Sequence, residues 1–271
     1  MKFGARRAVA ALSVLGLCGC AMHDTVGHAQ PAGPVAVFSD DFTGPAGTPP
    51  GGPWRFDTGG GGWGNNEVQV YTDDPGNVSL DGAGHLAIVA RGDADGSNIT
   101  SARVTTKGTV EFTSGRAEAR IALPAGAGLH PAFWLLGSDV DQVGWPASGE
   151  IDVIETLNLA DEYHTGVHVP RQGSARGQEI SASGPAPFPL AGEFHTYWVE
   201  KTPGRIVTGI DELTLFTVTP ADLAPESTWV FDGPVFLLLN LAVGGNWPGP
   251  PDLTTPNPST MLVDWVRVTA L

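Results

Sequence analysis

Glycine and proline cut this chain into short pieces. The 37 glycines and 23 prolines among 271 residues fall between short apolar or alternating runs at 67–71, 86–90, 116–123, 196–201 and 235–243. Clusters of this kind are turn chemistry, and the runs between them have strand length and strand periodicity. No stretch sustains a 3.6-residue apolar period, and only 220–224 reads as a helical turn. There is no repeat of 20–50 residues and no low-complexity tract. The pattern predicts an all-β fold, a two-sheet β-sandwich with one core. Residues 35–271 have a length that such sandwiches reach as one domain.

Residues 1–34 read differently. A basic start (Lys2, Arg6, Arg7) precedes an apolar stretch over 8–17 and then Leu17-Cys18-Gly19-Cys20. That is the layout of an export signal, too short for a stable membrane span. The last four residues resemble a bacterial lipobox, which implies a signal peptide of residues 1–19 and lipid attachment to Cys20. Cleavage near Ala29 would instead release a secreted protein. Residues 20–34, rich in Ala, Gly and Pro, read as a tether. Both cysteines lie in this amino-terminal region, so the remaining domain has none to pair. The formal charge of −15 becomes −18 once the three cations of residues 1–19 are removed, which disfavours a nucleic-acid partner. The expected localisation is the cell envelope, or the medium after cleavage near Ala29. Membrane association is expected only through the lipid.

Gly149-Glu150-Ile151-Asp152-Val153-Ile154-Glu155 sets three carboxylates into an apolar strand-forming run. On a regular strand Glu150 and Asp152 share a face while Glu155, five positions on, points the other way. A β-bulge at Val153-Ile154 would return Glu155 to the first face. Two carboxylates could then flank one glycosidic bond, as retaining hydrolysis requires, with one as nucleophile and one as acid/base. A solvated acidic edge strand is the alternative, but Ile151, Val153 and Ile154 draw the segment toward low dielectric. Asp139 and Asp141 read as a solvated turn.

The string resembles the Glu-x-Asp-x-x-Glu strand of laminarinase-type members of glycoside hydrolase family 16. Other segments resemble that family in the same order: Trp63-Gly64-Asn65-Asn66-Glu67-Val68-Gln69, Thr100-Ser101-Ala102-Arg103, Gly115-Arg116-Ala117-Glu118, Pro131-Ala132-Phe133-Trp134, Gly144-Trp145-Pro146, Phe194-His195-Thr196-Tyr197, residues 237–248, and Val263-Asp264-Trp265. The resemblance implies a β-jelly roll with a concave glycan cleft and an endo-β-1,3-glucanase acting on a β-glucan. Glu150 would be the nucleophile, Glu155 the acid/base with a raised pKa, and Asp152 the residue between them that orients Glu150. No cofactor is required for this chemistry. Asn65, Glu67, Arg103, Trp134, Trp145, His168 and Trp247 match sugar-contacting positions, although Asn65, Glu67 and Arg103 could equally be ion-pair or capping residues. Trp63 stays open, while Trp54, Trp198, Trp229 and Trp265 read as packing residues.

Asp41, Gly84 and Asp264 match the positions of a structural calcium in that family; an Asp paired with a neighbouring Arg is the ordinary alternative. His168 lies in His164-Thr165-Gly166-Val167-His168-Val169-Pro170, where the family pattern is His-Gly-Thr-Val-His-Gly-Pro. The 165–166 swap and Val169 for Gly are departures, and Val169 is expected to add bulk on the leaving-group side of the cleft. Ile210-Asp211-Glu212, where many members have Val-Asp-Gly, is expected to alter only a hairpin. The remaining histidines read as surface or core polar groups. A monomer is expected. A related hydrolase or transglycosylase on another β-glycan is the next reading, and a noncatalytic glucan-binding module is disfavoured because all three carboxylates are present.

Overall fold

The computed structural model describes residues 35–93 and 97–270. The export signal, Cys20 and the tether lie outside the described residues. Residues 34–271 form one compact unit.

In chain order the strands begin with β1 (Val35–Asp40), β2 (Arg55–Asp57), β3 (Val70–Tyr71), β4 (Val78–Leu80), β5 (Leu86–Ala90) and β6 (Thr100–Ser101). They continue with β7 (Arg103–Thr105), β8 (Glu111–Phe112), β9 (Gly115–Ala122), β10 (Leu129–Gly137), β11 (Glu150–Glu155) and β12 (Glu162–Arg171). The last are β13 (Ser174–Pro185), β14 (His195–Thr202), β15 (Arg205–Ile210), β16 (Leu213–Val218), β17 (Val235–Val243) and β18 (Ser259–Ala270). The helical content described is one turn at Val140–Val143, with Asp139 at its N-cap and Asp141 within it, and a 3-10 turn at Pro220–Asp222.

Two antiparallel sheets stack as a sandwich. One runs β16-β15-β14-β9-β18-β5-β4 with β1 on β18; the other runs β13-β12-β11-β10-β17-β7-β2 with β8 on β17. Alternation decides what each strand gives to the core. In β9, Ala117, Ala119 and Ile121 are buried while Arg116, Glu118 and Arg120 face outward. Facing them across the core are Phe133 and Leu135 of β10 and Leu237, Leu239 and Leu241 of β17. Each such side chain contributes about 1.5–3 kcal/mol on burial. Strand β17 is buried along its whole length, and its second face packs Phe236 and Leu238 with Leu136 and Trp134 in a separate apolar patch on the outer side of the second sheet. This patch adjoins the row of carboxylates.

The packing tryptophans divide. Trp54 and Trp198 are buried, and Trp229 packs against the core. Trp265 instead lies half-buried on the outer face, 4.3 Å from the Arg267 guanidinium. Asp211 adopts a positive φ of 49° in the β15–β16 turn and accepts from the Thr196 amide, so the departure at 210–212 is confined to a hairpin.

Asp264 is the extra residue of a bulge in β18, between Val263 and Trp265. Register brings the end of β1 and the turn before β5, with Asp41 and Gly84, toward the same end of the sheet. Both carboxylates are held by arginine: Asp264 Oδ2 accepts from Arg120 at 2.5 Å, and Asp41 Oδ1 from Arg267 at 3.4 Å. The ordinary pairing is therefore present for both side chains, and a cation would have to share Asp264 with Arg120.

Candidate active site

The bulge falls where the apolar pair sits. Across β12, Asp152 pairs with Gly166 and Glu155 with His164, so two residues of β11 oppose one of β12; across β10, Phe133 pairs with Ile154 and Trp134 with Asp152, leaving Val153 as the insertion. Ile151, Val153 and Ile154 are all fully buried in the core. Without the insertion Glu155 would turn inward, and placing an ionised carboxylate there costs several kcal/mol. Two adjacent apolar side chains thus go inward together, and Glu150, Asp152 and Glu155 line the opposite face.

Small residues make room around them. Gly166 opposes Asp152, and a Cβ there would lie 2.8 Å from both the Ile180 carbonyl oxygen and the Ser181 Cβ. Thr165 turns inward, donating to the Asp152 carbonyl or sharing its hydroxyl with Thr208 of the other sheet, each at 2.7 Å. The 165–166 swap therefore serves packing. Val169 is fully buried in the core, on the face away from His168. The expectation that it crowds the leaving-group side is corrected: the odd-numbered residues 163–169 of β12 point inward.

Glu150, Asp152 and His168 each have a polar atom within 4.8 Å of the others. His168 Nε2 lies 3.4 Å from Asp152 Oδ2 and 3.7 Å from Glu150 Oε1. Burial, and then the charge of Asp152, push the Glu150 carboxyl up to about 8, while His168 works in the other direction. Burial, with Glu155 and Glu179 nearby, holds Asp152 well above the usual carboxylate range. Two carboxyls this close do not both ionise readily, so the pair retains a proton into the neutral range. The upward push that burial and mutual repulsion exert in this row falls on Glu150 and Asp152.

Arg103 of β7 is fixed on one side of this row. Its Nε lies 3.0 Å from Asp57 Oδ2, and its guanidinium carbon is 4.5 Å from the Trp134 ring centre and 5.0 Å from that of Trp63. Arg103 therefore makes the ion pair that was its alternative role, and it covers Trp134. Trp134 also donates its Nε1–H to Asn240 Oδ1 at 2.7 Å. Glu67 accepts from Gln69 Nε2 at 2.7 Å, and burial raises its pKa. Asn65 is half-buried and ties two loops through its carbonyl, which accepts from the Asn246 amide. Trp145 and Trp247 are each 45 % exposed, leaving part of each indole open to solvent. Trp145 tilts toward His168, and Trp247 meets His130 and His164 edge-on.

Three residues in this row escaped sequence reading. Asn240 interrupts an otherwise apolar strand and links Trp134 to the Tyr71 hydroxyl. The signal was present, since a lone amide in such a run needs partners. His164 pairs with Glu155 in register. His130 Nε2 lies 2.8 Å from Glu155 Oε1. A hollow of 540 Å³ bordered by Arg91, Ile99, Leu129 and Pro251 is lined by none of these three.

An open sheet face carrying a bulged row of three carboxylates, flanked by exposed indoles, defines a carbohydrate-cleaving hydrolase of the two-carboxylate type. Residues 63–267 match the sequence profile of the glycosyl hydrolases family 16, and the chain belongs to that family. It is a glycoside hydrolase. A beta-glucanase from Rhodothermus marinus is 36 % identical over 273 residues, spanning 97 % of this chain and 94 % of the relative. The structure of an endo-1,3-beta-glucanase from Streptomyces sioyaensis superposes with a TM-score of 0.79 at 34 % identity, covering 89 % of this chain and 98 % of that one. The laminarinase catalytic domain from Thermotoga maritima gives 0.77 at 35 % identity, covering 88 % and 98 %.

Proposed function

We propose that this chain is an exported endo-β-1,3-glucanase that cleaves laminarin-type β-glucans with retention of configuration. The observation that carries the reading is the Val153 bulge, which turns Glu155 to the face of Glu150 and Asp152. Glu150 attacks the anomeric carbon, and Glu155 protonates the departing oxygen and later takes a proton from water. Asp152 orients Glu150. The Rhodothermus, Streptomyces and Thermotoga relatives support β-1,3-glucan as the substrate. Asn65, Glu67, Arg103, Trp145, His168 and Trp247 contact the glycan, with Trp134 supporting Arg103.

Residues 35–271 should cleave laminarin faster than lichenan and leave agarose intact, and early proton NMR should show the β-anomer first. Glu150→Ala should lose covalent labelling by a fluoroglycoside, whereas Glu155→Ala should still label slowly. An α-anomeric first product, or labelling on Glu155, would reject the assignment.

The domain acts as a monomer, and Cys20 carries the lipid that holds it at the envelope; Cys20→Ala should then move it to the soluble exported fraction, and unchanged partitioning would instead favour cleavage near Ala29. A structural calcium at Asp41, Gly84 and Asp264 would use the Asp264 oxygen that Arg120 leaves free. A chelator that leaves the melting temperature unchanged would remove that ion from the account.

A further inference from the structure

His130 lies on the cleft face of β10, two positions before Ala132 and four before Trp134. Ala132 is the register partner of Glu155, and its small side chain lets the glutamate lean along β10. The Glu155 carboxylate meets the imidazole there: Oε1 is 2.8 Å from His130 Nε2. The ring is 8 % exposed and is held edge-on by Trp247 at 5.3 Å. Its other nitrogen, Nδ1, is buried without a hydrogen-bond partner among the described residues.

That orphan fixes the tautomer. A proton on Nδ1 would be a buried donor with no acceptor, which carries the full desolvation penalty of that group. A bare lone pair there costs less, so the proton of the neutral ring belongs on Nε2, aimed at Glu155 Oε1. Oε1 is then occupied, and the second oxygen of Glu155 is the one free to face the glycan.

We propose that His130 is a positioning residue for Glu155, donating to one carboxyl oxygen so that the other delivers and recovers the proton of both half-reactions. This deepens the assignment of Glu155 as acid/base and rests on it. In the first half-reaction the anomeric carbon leaves its glycosidic oxygen for Glu150, and the proton on the free oxygen of Glu155 passes to the departing oxygen. Glu155 becomes a carboxylate, and the Nε2–H bond becomes charge-assisted, strongest in the glycosyl-enzyme state. In the second, water bonds to the anomeric carbon, its proton returns to the same oxygen, and Glu150 departs. His130 keeps its own proton throughout. The titratable groups facing it are Glu155 from β11, Glu67 from the loop before β3 and His164 from β12. Burial opposes charge on the ring, but the Glu155 hydrogen bond and the charges of Glu155 and Glu67 together raise its pKa.

The test uses laminarin, whose leaving group needs a proton, and a dinitrophenyl β-glucoside oligomer, whose leaving group needs none. His130→Phe keeps a flat ring against Trp247 and loses the donor. On laminarin its kcat/KM should fall by about tenfold to a hundredfold, part of the effect of a whole acid/base group. For the first chemical step on the dinitrophenyl substrate the loss should stay within about threefold, and His130→Gln, whose amide reaches the same oxygen, should recover most of the laminarin activity. The alkaline limb of the kcat/KM profile should move to higher pH in the Phe variant and less in Gln. If the Phe variant does not fold, His130→Asn, too short to reach Glu155, takes its place. Equal losses on both substrates, equal losses in Phe and Gln, or no loss at all would overturn the proposal. Glu155→Gln run in parallel separates the two layers. If activated leaving groups do not spare it, the acid/base assignment itself fails; if they spare it but not His130→Phe, only the role of His130 fails.

Discussion

Replacing Asp152 by Asn removes a charge from beside the nucleophile while keeping the shape of the side chain. Glu150 titrates at about 8 instead of 4.5, and at about 1.4 kcal/mol per pH unit that gap corresponds to about 5 kcal/mol against its charged form. Burial is the larger cause and survives the substitution, so less than half of the gap should close, on the order of one pH unit. The sign follows from the chemistry. Attack needs ionised Glu150, so kcat/KM rises as pH rises through its pKa, and lowering that pKa moves the acidic limb to lower pH. His168 acts on Glu150 in the opposite sense, so His168→Ala should move the same limb upward. The assay is initial rates on laminarin from about pH 4 to about pH 10, with circular dichroism confirming that each variant is folded. Because Asp152 orients Glu150, kcat should also fall. The raised pKa has a second consequence in the free protein. An acid that binds its proton more tightly when folded loses stability as pH climbs from 4.5 toward about 8, and Asp152→Asn should flatten that slope. An acidic limb that stays put or rises in Asp152→Asn, or falls in His168→Ala, would refute the electrostatic account of the pair.

Trp145→Ala should raise KM for laminarin by roughly fivefold to thirtyfold, the worth of about 1–2 kcal/mol of lost ring contact, with kcat and melting temperature nearly unchanged because the ring is 45 % exposed; a large drop in melting temperature would show that it is a packing residue. Gly166→Val should cost about 1–3 kcal/mol of stability and most of the activity, since even a Cβ there lies 2.8 Å from β13 backbone and the strand must shift opposite Asp152. Full activity of that variant, measured beside its denaturation midpoint, would contradict the tight β11–β12–β13 register.

What could be read from the sequence was what depends on near neighbours. Gly and Pro spacing predicts strands because turn residues act locally, and Val153-Ile154 predicts the bulge because two adjacent core side chains contradict alternation wherever the strand lies. The Glu150–Glu155 arrangement therefore follows from six residues. Val169 was misjudged by proximity to His168, when parity along β12 sends it to the opposite face. Arg103 and Trp134 match sugar-contacting positions taken singly, yet the strand order β10-β17-β7 stacks them on each other, a contact set by topology. The same holds with greater force for His130. Its partner is 25 positions away, and the contact depends on the β10–β11 register, on the smallness of Ala132 and on the bulge that first brings Glu155 to that face. The insertion of Val153 thus has two effects at once: it aligns Glu155 with Glu150, and it delivers Glu155 to the one imidazole on β10 able to orient it. A bulge shifted by one residue could meet the first condition and fail the second, which is why the location of the insertion matters as much as its presence.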